Sequence, residues 1–268
     1  MNVKFFSFFT IEFGGIMSLN LIKDVWDYTT YNKPFFLFIL ILFLILCIIK
    51  GIFEDMNTYA WYLACVPYVF ISGYGMIITK DRLRHGKRLP KILVKDVIVL
   101  GVKSTIISTV FLLVQDMILW SISSPLDFPE FDLEDMLMNM PETIHMLYSH
   151  NPVHTVVFLV VSLIVSYIII FFMEIALAKL ADTGSILDAF NLYGIKKIID
   201  VIGWGNYAKH YTLIVFSIGF YSLLINIEIP IVALDYAYQT VLLFLIFVTQ
   251  YVGIGAVYSI FKEKQSDD

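Results

Sequence analysis

Long apolar runs separated by short polar segments dominate the chain. Six runs, at residues 34–53, 59–79, 97–120, 153–173, 211–230 and 239–261, each come near the ~20 residues that cross a hydrocarbon core about 30 Å thick. Backbone polar groups in such a core must find partners within their own segment, so the runs are expected to be helices. Segments 54–58 and 235–238 between runs are short enough for tight helical hairpins, whereas the third and fourth runs are joined by a long segment, 121–152. The expected fold class is an all-α integral membrane protein with six transmembrane helices.

A second periodicity precedes the first, third and fifth runs. Residues 18–31 place Leu19, Ile22, Val25 and Trp26 on one face, with Lys23, Asp24 and Asp27 elsewhere. Residues 88–99 set Leu89, Ile92, Leu93 and Val97 against Lys91, Lys95 and Asp96. Residues 185–202 set Leu187, Phe190, Tyr193, Ile198 and Val201 against Asp188, Lys196, Lys197 and Asp200. Such stretches read as amphipathic helices lying flat in a membrane interface. In the long segment, Leu133, Met136, Leu137 and Met140 follow helical spacing, with Pro141 ending the run.

The composition agrees with a membrane bundle. Hydrophobic residues make up 59 % and charged residues 15 %, and the mean hydropathy is +0.81. A soluble domain carries about 25 % charged residues. Charge also sets an orientation. Outside the runs, the first, third, fifth and seventh segments hold 3, 7, 4 and 2 of the 18 Lys and Arg residues, and the alternate segments hold none. Cytoplasmic loops retain Lys and Arg, so both termini are expected in the cytoplasm and the protein in the cytoplasmic membrane. The organisation predicted is an N-terminal extension at 1–17, one membrane domain at 18–262 and a polar tail at 263–268. The apolar part of the extension is short, is broken by Glu12 and has no small-x-small cleavage site, which argues against a signal peptide. Cys47 and Cys65 lie within runs and read as small packing residues.

Several motifs have both a chemical and a structural reading. Ser72-Gly73-Tyr74-Gly75 is similar to a potassium-channel filter, but it sits late in a run with no pore helix before it, and close helix approach explains its glycines better. Asp182-Thr183-Gly184-Ser185 contains the triplet of aspartic proteases, which needs a second carboxylate in a β-rich cleft. A helix start capped by Ser185, with Asp188 three residues on, is the better account. Asp127, Glu130, Asp132, Glu134, Asp135 and Glu142, with His145, His150 and His154 near, could ligate calcium or another metal. Exclusion of positive charge from an outer segment explains the acids without one, and no metal or cofactor is expected. Gly255-x-x-x-Ser259 offers a close-packing face.

The densest basic run suggests lipid-headgroup contact by Arg82, Arg84, Lys87, Arg88 and Lys91. Ionisable residues are scarce in the runs, with Lys50, Glu174 and Glu228 read as near helix ends and Asp116 and Lys103 within reach of an interface. Mid-depth polar residues are neutral, among them Ser108, Ser166, Tyr167 and Gln250 as a candidate cluster. This disfavours a proton-coupled carrier.

Gly73-Tyr74, Leu89-Pro90 and Gly101, together with residues 176–185 (Ala-Leu-Ala-Lys-Leu-Ala-Asp-Thr-Gly-Ser) and Ala189-Phe190, resemble elements of the prokaryotic, largely archaeal, membrane family of domain of unknown function 4013. The resemblance covers about residues 18–262. It implies the membrane architecture and transfers no catalytic or binding residue. Lys91-Ile92 departs from the acidic or aromatic residue expected soon after Leu-Pro. No catalytic motif of the common enzyme classes occurs, and enzyme activity is not expected. Two function classes stand: a non-enzymatic membrane component that organises lipid or protein, or a permease for a neutral or amphipathic solute. The expected partners are membrane lipids and other membrane proteins, not nucleic acid.

Overall fold

The computed structural model describes residues 21–33, 35–37, 39–41, 59–124, 140–227 and 229–266. Every regular element among these is a helix. In chain order they are α1 (Leu21–Thr30), α2 (Tyr59–Leu83), α3 (Val94–Ser123), α4 (Met140–His150), α5 (Pro152–Thr183), α6 (Ile186–Ala189), α7 (Leu192–Ile202), α8 (Trp204–Ile225) and α9 (Val232–Ser266). Four are long and apolar enough to cross a membrane: α3, α5, α8 and, over Leu234–Gln265, α9. The expected second run is also helical, as α2. Most of the expected first run falls outside the described residues, as do the N-terminal extension, Leu133, Met136 and Leu137, and the acids Asp127 to Asp135.

The helices divide between two compact units. One comprises residues 1–105 and 175–268, the other residues 106–174. In the first, α9 packs against α1, α2, α7 and α8. Its core includes Tyr28, Met76, Ile78, Phe244 and Tyr258. Glycines set the spacing there. A side chain on Gly73 would strike the Val97 carbonyl and the Gly101 amide nitrogen, one on Gly101 would strike the Val69 carbonyl, and one on Gly75 would strike the Tyr251 ring. The helices therefore touch backbone to backbone, as small residues permit in membranes. Ser72 and Ser104 hydrogen-bond across this crossing at 2.6 Å. Gly255 similarly admits Thr79 and Arg82, as its spacing to Ser259 suggests.

In the second unit, α5 begins at Pro152 behind Asn151, whose side chain accepts from the His154 amide at 3.1 Å. Proline in the first turn loses no helical hydrogen bond. Exposed Val153, Val156, Val160, Leu163 and Ile164 line α5, and Tyr167 and Phe171 pack ring to ring at 6.2 Å.

Several boundaries differ from the pattern-based reading. Residues 88–93 are not helical, and α3 starts at Val94. Pro90 has no amide hydrogen and disfavours helix at the residue before it. The 185–202 stretch is two helices, broken at Phe190 and Asn191. Its buried face is Ile195, Ile198, Ile199 and Ile202, while Leu187 and Tyr193 point outward. In α1 the buried stripe is Leu21, Val25 and Tyr28, and Trp26 is exposed. Pro141 lies in the first turn of α4, and the run expected to end there, Leu133 to Leu137, lies outside the described residues. The last turn between long helices lies at 226–231, not 235–238. Asp235 inside α9 accepts from the Ile229 amide at 3.1 Å, and the Tyr238 hydroxyl donates to the Leu224 carbonyl at 2.8 Å. The tail expected at 263–268 continues α9 through Ser266.

Candidate functional site

The strongest concentration of charge in the first unit begins where α2 ends. The Gly86 amide donates to the Asp81 carbonyl at 2.9 Å and the His85 amide to the Arg82 carbonyl at 3.0 Å. With His85 at φ 56, this is a Schellman stop carrying histidine where glycine is usual. The stop reverses the chain and presents Asp81 and Arg82 to α1. The Tyr28 hydroxyl donates to Asp81 Oδ2 at 2.8 Å. Arg82 pairs with Asp24 at 3.5 Å, donates to the Gly86 carbonyl at 3.1 Å, and lies 5.8 Å from the Tyr28 ring centroid. Burial, reinforced by the neighbouring Asp81 carboxylate, pushes the Tyr28 phenol far above its ordinary range. Burial also raises the Asp24 carboxyl, with Arg82 opposing it. Arg82 is therefore withdrawn from the headgroup-contact set into a structural clamp.

The segment after the stop is tied down again by residues close to it. The Tyr74 hydroxyl donates to the Pro90 carbonyl at 3.1 Å, and Leu89 is buried. Between and beyond these fixed points Arg84, Lys87, Arg88, Lys91 and Lys95 are all exposed. Four of the five residues expected to meet lipid headgroups thus remain available, and Lys95 joins them. A cationic loop held at both ends attracts anions through a standing field, and ordering it on binding costs little side-chain-independent entropy.

A second charged cluster closes the far end of α5. The Gly184 amide donates to the Leu180 carbonyl at 2.7 Å with Gly184 at φ 70, a left-handed stop that glycine adopts without strain. Lys103 Nζ then donates to the Gly184 carbonyl at 2.6 Å. Asp182 binds Lys262 at 2.6 Å and accepts from the Tyr258 hydroxyl at 3.4 Å. Lys264 donates to the Val201 and Ile202 carbonyls at 3.0 and 3.3 Å. Cations at helix C-termini oppose the negative end of the helix dipole. Ser185 caps α6 by accepting from the Asp188 amide at 3.3 Å, as its spacing suggests. The Asp-Thr-Gly-Ser residues are thus engaged in chain reversal and ion pairing. The lysine partners were not legible: Lys103 and Gly184 lie far apart in the chain, and no local spacing links them.

The remaining candidates divide between the two units. Ser108, Ser166 and Tyr167 belong to the second unit and Gln250 to the first; Ser108 is buried and the others are half-buried. Gln115 Oε1 and Ser162 Oγ in the second unit are buried without a hydrogen-bond partner among the described residues. Glu174 is not near a helix end: the helix-favouring Ala176 to Ala181 carry α5 onward to Thr183, and Glu174 is only 5 % exposed. His150 and His154 fall on different helices. No group of three or more His, Cys, Asp or Glu able to hold a metal occurs among the described residues.

Nothing among curated proteins or solved structures matches the chain. One family model does, over residues 59–231, a span lying inside the 18–262 of the resemblance. That span takes in the Gly73–Gly101 crossing, the Tyr74–Pro90 tie and the Gly184 stop, so the elements behind the resemblance are those that fix backbone geometry. The chain belongs to the family described as protein of unknown function, DUF4013.

Proposed function

We propose that this is a six-span protein of the cytoplasmic membrane with both ends in the cytoplasm, acting as a non-enzymatic component that gathers anionic lipid at its inner face. The alternation of Lys and Arg between segments supports the orientation. The observation that carries the role is the segment 84–95, which presents five exposed cations and is tied to the protein at the Gly86 stop and at Leu89–Pro90. Polybasic segments beside a membrane gain about 1 kcal/mol per residue from an anionic leaflet. Quantifying lipids that co-purify with the full chain tests this. Arg84→Gln, Lys87→Gln, Arg88→Gln and Lys91→Gln together should lower the anionic fraction toward that of the bulk membrane. An unchanged fraction would sink the role. Reporters after Asp268 and at Asn139 should lie on opposite sides of the membrane, and the same side would sink the topology.

A permease for a neutral or amphipathic solute is the second reading. It is favoured by the unpartnered Gln115 and Ser162 oxygens, because buried polar atoms without partners cost about 1–3 kcal/mol and persist where they serve a ligand. Stoichiometric release of a small molecule from the purified protein, abolished by Gln115→Leu, would support it. A protein that carries none would count against it.

A further inference from the structure

The segment that joins α5 to α8 faces outward with side chains that water does not favour. Leu187 is 84 % exposed, Tyr193 80 %, Leu192 64 % and Trp204 45 %. Lys196 and Lys197 stand exposed on the same outward side of α7, because the opposite side is Ile195, Ile198, Ile199 and Ile202, which are buried. The apolar residues sit at the two ends of α7 and the lysines between them. Trp204 donates its indole N–H to Asp200 Oδ1 at 2.7 Å, which satisfies its one polar group within the chain and neutralises part of that acid's hydrogen-bonding need.

We infer that this outward face, from Leu187 through Trp204, rests in the anionic headgroup layer of the bilayer. The inference rests on the membrane reading of the chain. What covers the face is argued from covalent continuity: α5 ends at Thr183 and α8 begins at Trp204, and both are long and apolar enough to span. The intervening chain is thereby confined to the level at which spans leave the hydrocarbon. Tyr and Trp concentrate at that level, and Leu side chains bury there while lysines meet the phosphates. The kink that makes this possible is chemical. Asn191 caps α7 by accepting from the Gly194 amide at 2.9 Å, and Gly203, at φ 94, redirects the chain into α8. The helix is pinned through its isoleucine face to the protein, so its other face is presented to lipid without having to fold on it.

The test uses the full chain in vesicles, with Cys47→Ser and Cys65→Ser and a single fluorescent label on Tyr193→Cys. The quenchers are aqueous iodide and doxyl groups placed near the headgroup on phosphatidylcholine or phosphatidylglycerol. The label should be quenched by the doxyl lipids and shielded from iodide. The phosphatidylglycerol quencher should be the stronger, with local enrichment of about 5-fold per lysine, and Lys196→Gln with Lys197→Gln should remove that preference. Quenching by iodide but not by lipid would overturn the inference. So would shielding from both, which would mean that a protein surface covers the face. A label on Leu163→Cys, on the exposed apolar side of α5 and read with doxyl placed deep in the acyl chain, reports membrane insertion itself. If that control is not quenched by lipid, the membrane reading has failed rather than this inference.

Discussion

Replacing Gly73 with Ala tests whether backbone contact sets the spacing of the first unit. The added methyl would fall on the Val97 carbonyl and the Gly101 amide nitrogen. Neither can rotate aside as a side chain would, so α2 and α3 must separate locally. Overpacking of this kind costs about 1–3 kcal/mol. Separation also stretches the Ser72–Ser104 hydrogen bond, now 2.6 Å, worth roughly 0.6–1.7 kcal/mol between membrane helices. The expected loss is therefore about 2–5 kcal/mol. By the scaling known for domains of this length, that lowers the unfolding midpoint by about 5–15 °C. Gly219→Ala is the matched control. It too lies inside a long helix, but nothing lies within 4 Å of where its methyl would stand, so the better helix propensity of alanine should leave stability unchanged or raise it by up to about 1 kcal/mol. Both variants can be compared by size-exclusion of heated, detergent-solubilised protein. A Gly73→Ala midpoint equal to wild type would refute the reasoning, whatever Gly219→Ala does.

Gly184→Ala should cost about 1–2 kcal/mol from φ alone, because space there is open; the same thermal assay checks it, and an unchanged midpoint would mean that the left-handed stop is not maintained. His85→Gly should stabilise by about 1 kcal/mol by relieving the left-handed conformation at φ 56, since its ion-pair contact with Glu263, at 3.9 Å, joins two exposed groups and contributes little. The raised Asp24 carboxyl means that the folded protein holds that proton more tightly than the unfolded chain. Stability from this group therefore grows as pH falls through the raised value and is lost as pH rises. Asp24→Asn should accordingly remove that part of the slope in acid titrations of the unfolding midpoint, and a slope identical to wild type would contradict the assignment.

Much of the architecture was legible in the amino-acid pattern because the period of apolar runs and the use of glycine are local signals. The runs at 97–120, 153–173, 211–230 and 239–261 all became long helices, and Gly73, Gly75 and Gly255 serve the close approaches that their positions suggested. Helix ends were less legible. Ala176 to Ala181 help extend α5 ten residues beyond its apolar run, to Thr183, because propensity carries a helix past the end of its hydrophobic run. The amphipathic stretches were recognised, but their faces were not: in α7 the isoleucines that pack against α9 outcompete Leu187 and Tyr193 for burial. Arg82 illustrates the limit for the candidate site. Its sequence neighbours are basic, which groups it with the exposed loop, yet its partners Asp24 and Tyr28 come from a distant helix. Lys103 was similarly read as reaching for an interface, when its ammonium binds the Gly184 carbonyl.

Helix α9 carries a consequence for the order of assembly during synthesis. It is made after every helix it packs against, and Lys262, Glu263 and Lys264 reach Asp182, His85 and the carbonyls that end α7, three segments already in place. A ribosome adding about 5–20 residues per second needs roughly 7–30 s to go from Leu83 to Val232. For that interval the face of α2 that will receive α9, including Thr79, whose hydroxyl later donates to the Tyr251 carbonyl, is without its native cover. The length of that interval is set by the distance in sequence between α2 and its last partner.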